Sequence, residues 1–281
     1  KFCDTFRFTE TPDQERVIKE VIADLLSEKP QDRLICGEVG FGKTEVALRA
    51  SFIVAQNDYQ VCILAPTTVL AKQHFEVFKE RFSEFPYRIC LLTREQTKTE
   101  KAEIYKKIKE NHFSIIIGTH ALFNKEISFK SLNLLIIDEE HKFGVRQKEQ
   151  IRSLKNGINV ISLSATPIPR TLNLSLSKVR DISLITTPPT GRKSVKTIVS
   201  RYSKSLVFEA IQREFYRDGQ VFYLLNNVSM LEEKKKEISD RFPDKTIAFA
   251  HGQLRPKELS KVMQSFIRKE IDLLVCTTII E

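Results

Sequence analysis

With 281 residues the chain is long enough for two domains, and 41% apolar with 29% charged residues is the balance of an ordinary soluble globular protein. No apolar run approaches the roughly 20 residues that span a bilayer, and Lys1-Phe2-Cys3-Asp4 shows no signal-peptide pattern, so no membrane-spanning helix and no membrane partner are expected, and a cytoplasmic protein is expected. The formal charge of +9 fits a polyanionic partner and a solvated lysine-rich surface equally well.

The charge is denser towards the C-terminus. Residues 1–187 carry 28 basic and 24 acidic groups, and residues 188–281 carry 17 and 12. The five cysteines are odd in number and show no C-x-x-C spacing. Three lie in apolar runs, where a thiol acts as a small hydrophobe, so a reducing cytosol without disulfides or a zinc site is expected.

In chain order, the first element is a helix over 13–27, which Thr11 or Asp13 can cap. Gln14 at its start presents an amide complementary to an adenine edge, although a surface glutamine needs no such role. Apolar, β-branched runs recur at 34–36, 61–65, 89–92, 114–118, 132–138, 160–164 and 182–185, separated by amphipathic stretches such as 45–55, 68–82 and 99–111. Strands alternating with helices of this length predict βαβ units, and strands apolar throughout predict a parallel sheet covered on both faces. The highly charged stretch 98–112 keeps Ala102, Tyr105 and Ile108 at helical spacing, which marks a surface helix with solvated charges.

Thr186-Thr187-Pro188-Pro189-Thr190-Gly191 can continue neither a strand nor a helix and reads as a linker. The predicted domains are therefore 1–187 and 188–281. In the second, strands at 195–199, 221–225, 246–250 and 273–276 alternate with helices at 205–217, 231–241 and 256–267. The sequence stops just after the last of these strands, so this α/β domain is expected to be incomplete. There is no internal repeat and no low-complexity tract.

Gly37-Glu38-Val39-Gly40-Phe41-Gly42-Lys43-Thr44 reads G-x-x-x-x-G-K-T between a strand and a helix, the pattern of a phosphate-binding loop. Glycines let the backbone wrap a polyphosphate with its N–H groups turned inward. Lys43 then supplies a point charge for the β- and γ-phosphates, and the Thr44 hydroxyl can ligate Mg²⁺. Asp138-Glu139-Glu140-His141 ends the run 132–138, at the carboxyl edge where ligands bind in open α/β sheets. Asp138 is expected to hold Mg²⁺ through water, and Glu139 to position and activate an attacking water. Ser164-Ala165-Thr166-Pro167 follows the next strand, where small hydroxyl residues can bond to the acidic site and report its state.

The series Phe8 with Thr11-Pro12-Asp13-Gln14, the phosphate loop, Ala65-Pro66-Thr67-Thr68, Ile117-Gly118-Thr119-His120, Asp138 to His141, and Ser164-Ala165-Thr166 resembles the ordered motifs of superfamily-2 helicases and translocases. The resemblance spans the whole chain. It implies tandem RecA-like P-loop domains with parallel sheets and with ATP and Mg²⁺ in the cleft between them. ATP would meet Phe8, Gln14, Glu38, Val39, Gly40, Phe41, Gly42, Lys43 and Thr44, with Lys43, Asp138 and Glu139 catalytic, and with Ser164, Ala165 and Thr166 coupling. Pro66, Thr67, Thr68, Arg94, Gly118, Thr119 and His120 would line a sequence-neutral nucleic-acid path. Asn226, Asn227, His251, Gly252, Gln253 and Thr277 would do so in the second domain.

The residues from Gly40 to Ala47, Asp138 to Val145, Thr166-Pro167-Ile168-Pro169-Arg170-Thr171-Leu172 and Cys276-Thr277-Thr278-Ile279-Ile280-Glu281 narrow the resemblance to the ATPase motor of the bacterial transcription-repair coupling factor family. Its nearest relative, the branched-DNA fork-reversal helicase family, usually carries Gln in place of Glu140 and Ser in place of Phe41. The implied activity is ATP-driven translocation on double-stranded DNA, acting on stalled RNA polymerase in transcription-coupled DNA repair. RNA polymerase and the nucleotide-excision-repair proteins would be met through modules outside these residues.

By the same resemblance the arginine finger falls beyond position 281, so these residues alone are expected to bind nucleotide with little turnover. Branched-DNA remodelling, RNA unwinding and a nucleotide-gated module that only binds are the alternatives. RNA helicases more often read Asp-Glu-Ala-Asp where Asp138 to His141 stand.

Overall fold

The computed structural model describes residues 1–155, 157–166, 180–192 and 195–277, leaving aside the side chains at 152, 256 and 257. The resemblance residues Pro167, Ile168, Pro169, Arg170, Thr171, Leu172, Thr278, Ile279, Ile280 and Glu281 therefore lie outside the described residues. The chain divides into two compact units, Lys1–Ser194 and Val195–Glu281.

In the first unit, seven strands form one parallel sheet: β1 (Asp32–Gly37), β2 (Gln60–Leu64), β3 (Ile89–Leu92), β4 (Ile115–Gly118), β5 (Leu132–Asp138), β6 (Asn159–Ser164) and β7 (Asp181–Ile185). Their spatial order is β3-β4-β2-β5-β6-β1-β7. Among the described residues it is joined by helices α1 (Pro12–Leu25), α2 (Lys43–Gln56), α3 (Thr68–Arg81), α4 (Lys98–Lys109) and α5 (Val145–Leu154).

The apolar strands serve two cores because successive side chains point to opposite faces. Val61, Ile63, Ile115, Ile117, Leu134 and Ile136 join Val17 and Val21 of α1, Val46 and Val54 of α2, and Phe78 of α3 in one cluster. Cys62, Leu64, Ile116, Leu135 and Ile137 join Tyr105 and Ile108 of α4 and Ile151 of α5 in the other. Ala102 of the expected stripe is exposed instead, and Ile104 packs beside Tyr105 and Ile108 in its place. The extreme N-terminus packs onto the first core. The Phe2 ring stacks on Phe52 at 4.3 Å and meets Phe82 at 4.9 Å.

Local chemistry fixes the helix starts. Thr11 and Gln14 form a reciprocal capping box at α1, with Pro12 in the first turn, and Thr97 and Glu100 do the same at α4. Thr67 caps α3 by accepting from the Leu70 N–H. Helix α5 was not expected from sequence, and its signal is weak: Val145 is exposed and Ile151 is its buried anchor.

The second unit holds a parallel sheet of β8 (Val221–Leu224), β10 (Leu273–Cys276) and β9 (Ile247–Ala250), in that order, with helices α6 (Lys204–Tyr216), α7 (Leu231–Arg241) and α8 (Pro256–Ile267). Ile211, Leu231 and Ile238 meet one face, and Met263 and Phe266 the other. The strand expected at 195–199 is not formed. That stretch joins no sheet among the described residues, with Val195 at 84% and Val199 at 93% exposure. β-branched residues favour an extended chain, but a strand also needs an edge to pair with.

The linker expected from 186 packs onto the first unit. Asp13 Oδ2 accepts from the N–H and hydroxyl groups of both Thr186 and Thr187 at 2.8–3.0 Å.

Candidate nucleotide site and nucleic-acid path

Strands β5, β6 and β1 are adjacent and parallel, so their carboxyl ends bring together Asp138, Ser164 and the phosphate loop. The register sets Cys36 beside Ser164 and Asp138 beside Leu163. After Gly37 the chain turns through Gly40 and Gly42, at φ of +81° and +78°, a left-handed conformation that side chains resist. Lys43 opens α2 and donates from Nζ to the carbonyls of Gly37 and Glu38. Burial lowers its pKa, and the carboxylates of Glu139 and Asp138 pull it part of the way back. Lys43 and the acidic pair thus share one electrostatic site.

Glu139 sits at φ +49°, with its Oε1 accepting from the Ala165 N–H at 2.9 Å. Its Oε2 is buried and makes no hydrogen bond, with His141 Nδ1 3.3 Å away. A carboxylate held by one oxygen, with the other unsatisfied, is suited to accept from a water. Ser164 Oγ and Thr166 Oγ1 lie 2.7 Å apart, and the Thr166 N–H donates to Ser164, which shapes the loop that grips Glu139.

Asp138 Oδ2 is 2.8 Å from His74 Nε2 of α3. Glu140 points elsewhere, to Ser162 at 2.9 Å, Arg180 at 3.0 Å and Lys155 at 3.2 Å. Asp32 joins the same cations, so this cluster ties β1, β6, the end of α5 and the start of β7 beneath the acidic loop.

The donors fit magnesium in kind. Thr44 and Asp138 offer hard oxygen, and no cluster of three or more acidic, His or Cys ligands exists among the described residues. A cation bound chiefly by phosphate oxygens and water, with one or two protein oxygens, requires no more.

A cavity of about 660 Å³ opens beside the loop, with Phe6, Phe8, Gln14, Gly40, Gly42 and Thr44 in its lining. Phe8 is 73% exposed and meets Phe6 edge-on at 5.6 Å, so it presents a free aromatic face. Gln14 is buried. Its Oε1 accepts from the Thr11 N–H at 2.9 Å and its Nε2 donates to the Phe41 carbonyl at 2.8 Å, which fastens the phosphate loop to α1. One donor and one lone pair of that amide are left for a base.

Sequence reasoning missed Arg192. Its guanidinium lies 4.5 Å from the buried Phe41 ring and 3.3 Å from Glu38, and it lines the same cavity. Val39 and Glu38 are exposed on the loop's outer side. Nothing in the sequence pattern around Arg192 marks it, because its partners are 150 residues away.

The expected nucleic-acid residues separate by exposure. Pro66, Thr67 and Thr68 are half-buried at the start of α3. Arg94 and His120 are exposed, and the Lys101 ammonium donates to the Arg94 carbonyl at 3.4 Å. Partial burial, then the charges of Arg94 and Lys101, lower the His120 pKa, the mark of a cationic patch. Gly118 and Thr119 turn inward. A Cβ on Gly118 would stand 2.3 Å from the Leu92 carbonyl, and the Thr119 hydroxyl is buried without a partner. Both are packed inside and not on the exposed surface expected of phosphate contacts.

In the second unit, Asn226, Asn227, His251, Gly252, Gln253 and Thr277 all follow the carboxyl ends of β8, β9 and β10. Asn227 Oδ1 caps the next turn through Ser229, and His251 lies parallel to Phe249.

A sequence profile of DEAD/DEAH box helicases matches residues 11–174, and one of the helicase conserved C-terminal domain matches 204–281. The chain belongs to the DEAD/DEAH box helicase family. It is 47% identical over its whole length to the transcription-repair-coupling factor of Escherichia coli (strain K12), of which it covers 24%. To the transcription-repair-coupling factor of Bacillus subtilis (strain 168) it is 50% identical over its whole length, again covering 24%. The chain thus spans about a quarter of the length of these relatives. A solved structure of RecG bound to a three-way DNA junction superposes with a TM-score of 0.79 at 34% identity, over all of this chain and 38% of that one. The two parallel α/β units are accordingly RecA-like helicase folds.

Proposed function

We propose that these residues form the motor core of a transcription-repair coupling factor. It hydrolyses ATP to move along double-stranded DNA and, within a longer protein, acts on stalled RNA polymerase. The observation that carries the reading is the grip of the Ala165 N–H on the Glu139 carboxylate beside Lys43, in a chain 47–50% identical throughout to coupling factors. Phe8 and Gln14 would take the adenine, and the loop N–H groups and Lys43 the phosphates. Thr44 and Asp138 would hold magnesium, which supplies charge neutralisation across the β- and γ-phosphates.

Glu139 orients a water and takes its proton. Lys43 stabilises the charge that builds on the transferred group. Because residues 164–166 hold Glu139 by the backbone, any shift of that loop changes the water's alignment. This gives hydrolysis a mechanical link to the rest of the chain. Arg94, His120 and the start of α3 would hold DNA phosphates without reading bases.

In the full-length protein, Glu139→Gln is expected to keep ATP and duplex affinity while turnover falls about 10²- to 10⁴-fold and release of stalled polymerase is lost. Unchanged turnover would sink the reading. The likeness to RecG favours branched-DNA remodelling as a second reading. ATPase stimulation by a three-way junction well above that by linear duplex would establish it instead.

A further inference from the structure

Helix α3 carries at its N-terminus the residues assigned to a DNA backbone, and it also reaches the acidic site. Thr67 and His74 are seven residues apart, two turns along one face, about 10 Å by helical rise. Between and beyond them on that stripe stand Ala71 and Phe78, both fully buried. A histidine at this core-facing position puts its Nε2 2.8 Å from Asp138 Oδ2, with both side chains largely enclosed at 12% and 14% exposure. The carboxylate oxygen accepts, so Nε2 donates. One oxygen of Asp138 is thereby fixed by α3. Two residues earlier, Lys72 pairs with Glu95 at 2.6 Å, beside Arg94, so α3 is tied to the cationic patch as well.

We propose that His74 is a positioning residue that fastens Asp138 to α3 and so couples the hold on DNA phosphates to the metal–nucleotide site. The proposal rests on the motor reading above. A helix is stiff along its axis, so a strand gripped at Thr67 and Thr68 displaces the far end of the same rod, and His74 turns the carboxylate with it. Hydrogen-bonded partners of metal-ligating carboxylates set ligand orientation in this way. Nothing in the residues around His74 marks this role beyond the spacing from Thr67.

The test uses the full-length protein and a non-hydrolysable ATP analogue with Mg²⁺. The affinities for analogue and for duplex DNA are measured separately and each in the presence of the other, together with thermal unfolding. For His74→Ala, each separate affinity is expected to stay within about threefold of the parent. The factor by which DNA and nucleotide change one another's affinity, commonly about 5- to 150-fold in coupled systems, is expected to fall towards one. His74→Gln, whose amide N–H can replace Nε2–H, is expected to recover most of it. An unchanged coupling factor in His74→Ala would overturn the proposal. So would parallel loss of both affinities and of thermal stability, which would mark His74 as merely structural. A parent protein that binds neither ligand would refute the motor reading, and this proposal with it, by a pattern distinct from either.

Discussion

Lys43 is the residue proposed to meet the phosphates, and its electrostatics give that proposal a measurable signature. Burial lowers its pKa in the free protein, with Glu139 and Asp138 opposing. A triphosphate brings negative charge to the ammonium and raises that pKa. Between the two values, binding takes up a proton, so nucleotide affinity is expected to fall as pH rises through the free-state value. Titration calorimetry at alkaline pH, in two buffers of different ionisation enthalpy, should show uptake approaching one proton. Lys43→Ala should remove it and weaken binding about 10- to 100-fold, the range of a charge-assisted hydrogen bond. Proton-independent binding by the parent would show that Lys43 does not meet the phosphates. The sequence motif identified Lys43 because its chemistry is written in contiguous residues. His74, Arg192 and Arg180 had no such signal, because each acts through a partner that only the fold brings near.

The phosphate loop as an element is held by its neighbours as much as by its glycines. Gly40 and Gly42 share nearly the same positive φ, yet their surroundings differ. A Cβ at Gly40 meets open space, whereas one at Gly42 would lie 2.3 Å from Gln14 Nε2. Gly40→Ala therefore carries the left-handed penalty alone, about 1–2 kcal/mol. Gly42→Ala adds the displacement of Gln14 from the Phe41 carbonyl and the Thr11 N–H, about 0.5–1.5 kcal/mol for each bond. Urea unfolding should place Gly42→Ala about 2–4 kcal/mol below the parent and clearly below Gly40→Ala. Equal losses would mean that Gln14 moves aside freely.

At this scale the sheet was readable because both faces of each strand are covered, which leaves apolar runs such as Leu132–Asp138 with turns at their ends. The same signal misled at 195–199, where β-branched residues pair with no strand among the described residues. Gln14 was singled out as a complement to an adenine edge, whereas its hold on the loop depends on Phe41, 27 positions away, which no local pattern shows.

Across the molecule, two carboxylates, one half-buried and one buried, oppose one another in their effect on acid stability. Asp13 joins α1 to Thr186 and Thr187, contacts that span nearly the whole first unit in sequence. Burial raises its pKa, but hydrogen bonds from Thr186, Arg16 and Thr187 outweigh that and hold it well below the usual carboxylate range. A folded-state value below the unfolded value of about 3.9 means that the unfolded chain binds the proton first. Asp13 therefore stabilises the fold fully above that value, and its contribution disappears as pH falls towards the folded value. Glu45, 4% exposed against Arg49 and Arg81, has the opposite sign. Burial raises its pKa despite both cations, so protonation near the unfolded value favours the fold and offsets part of the loss. Asp13→Asn keeps the shape but gives up the charge that five donors converge on. It is expected to cost about 1–3 kcal/mol at pH 7, the worth of hydrogen bonds to a charged group, and the gap to the parent should close as pH drops below about 4. Denaturant unfolding of both proteins across that range decides it, since a gap that stays constant with pH would place the anchor in shape alone and not in the ionised carboxylate.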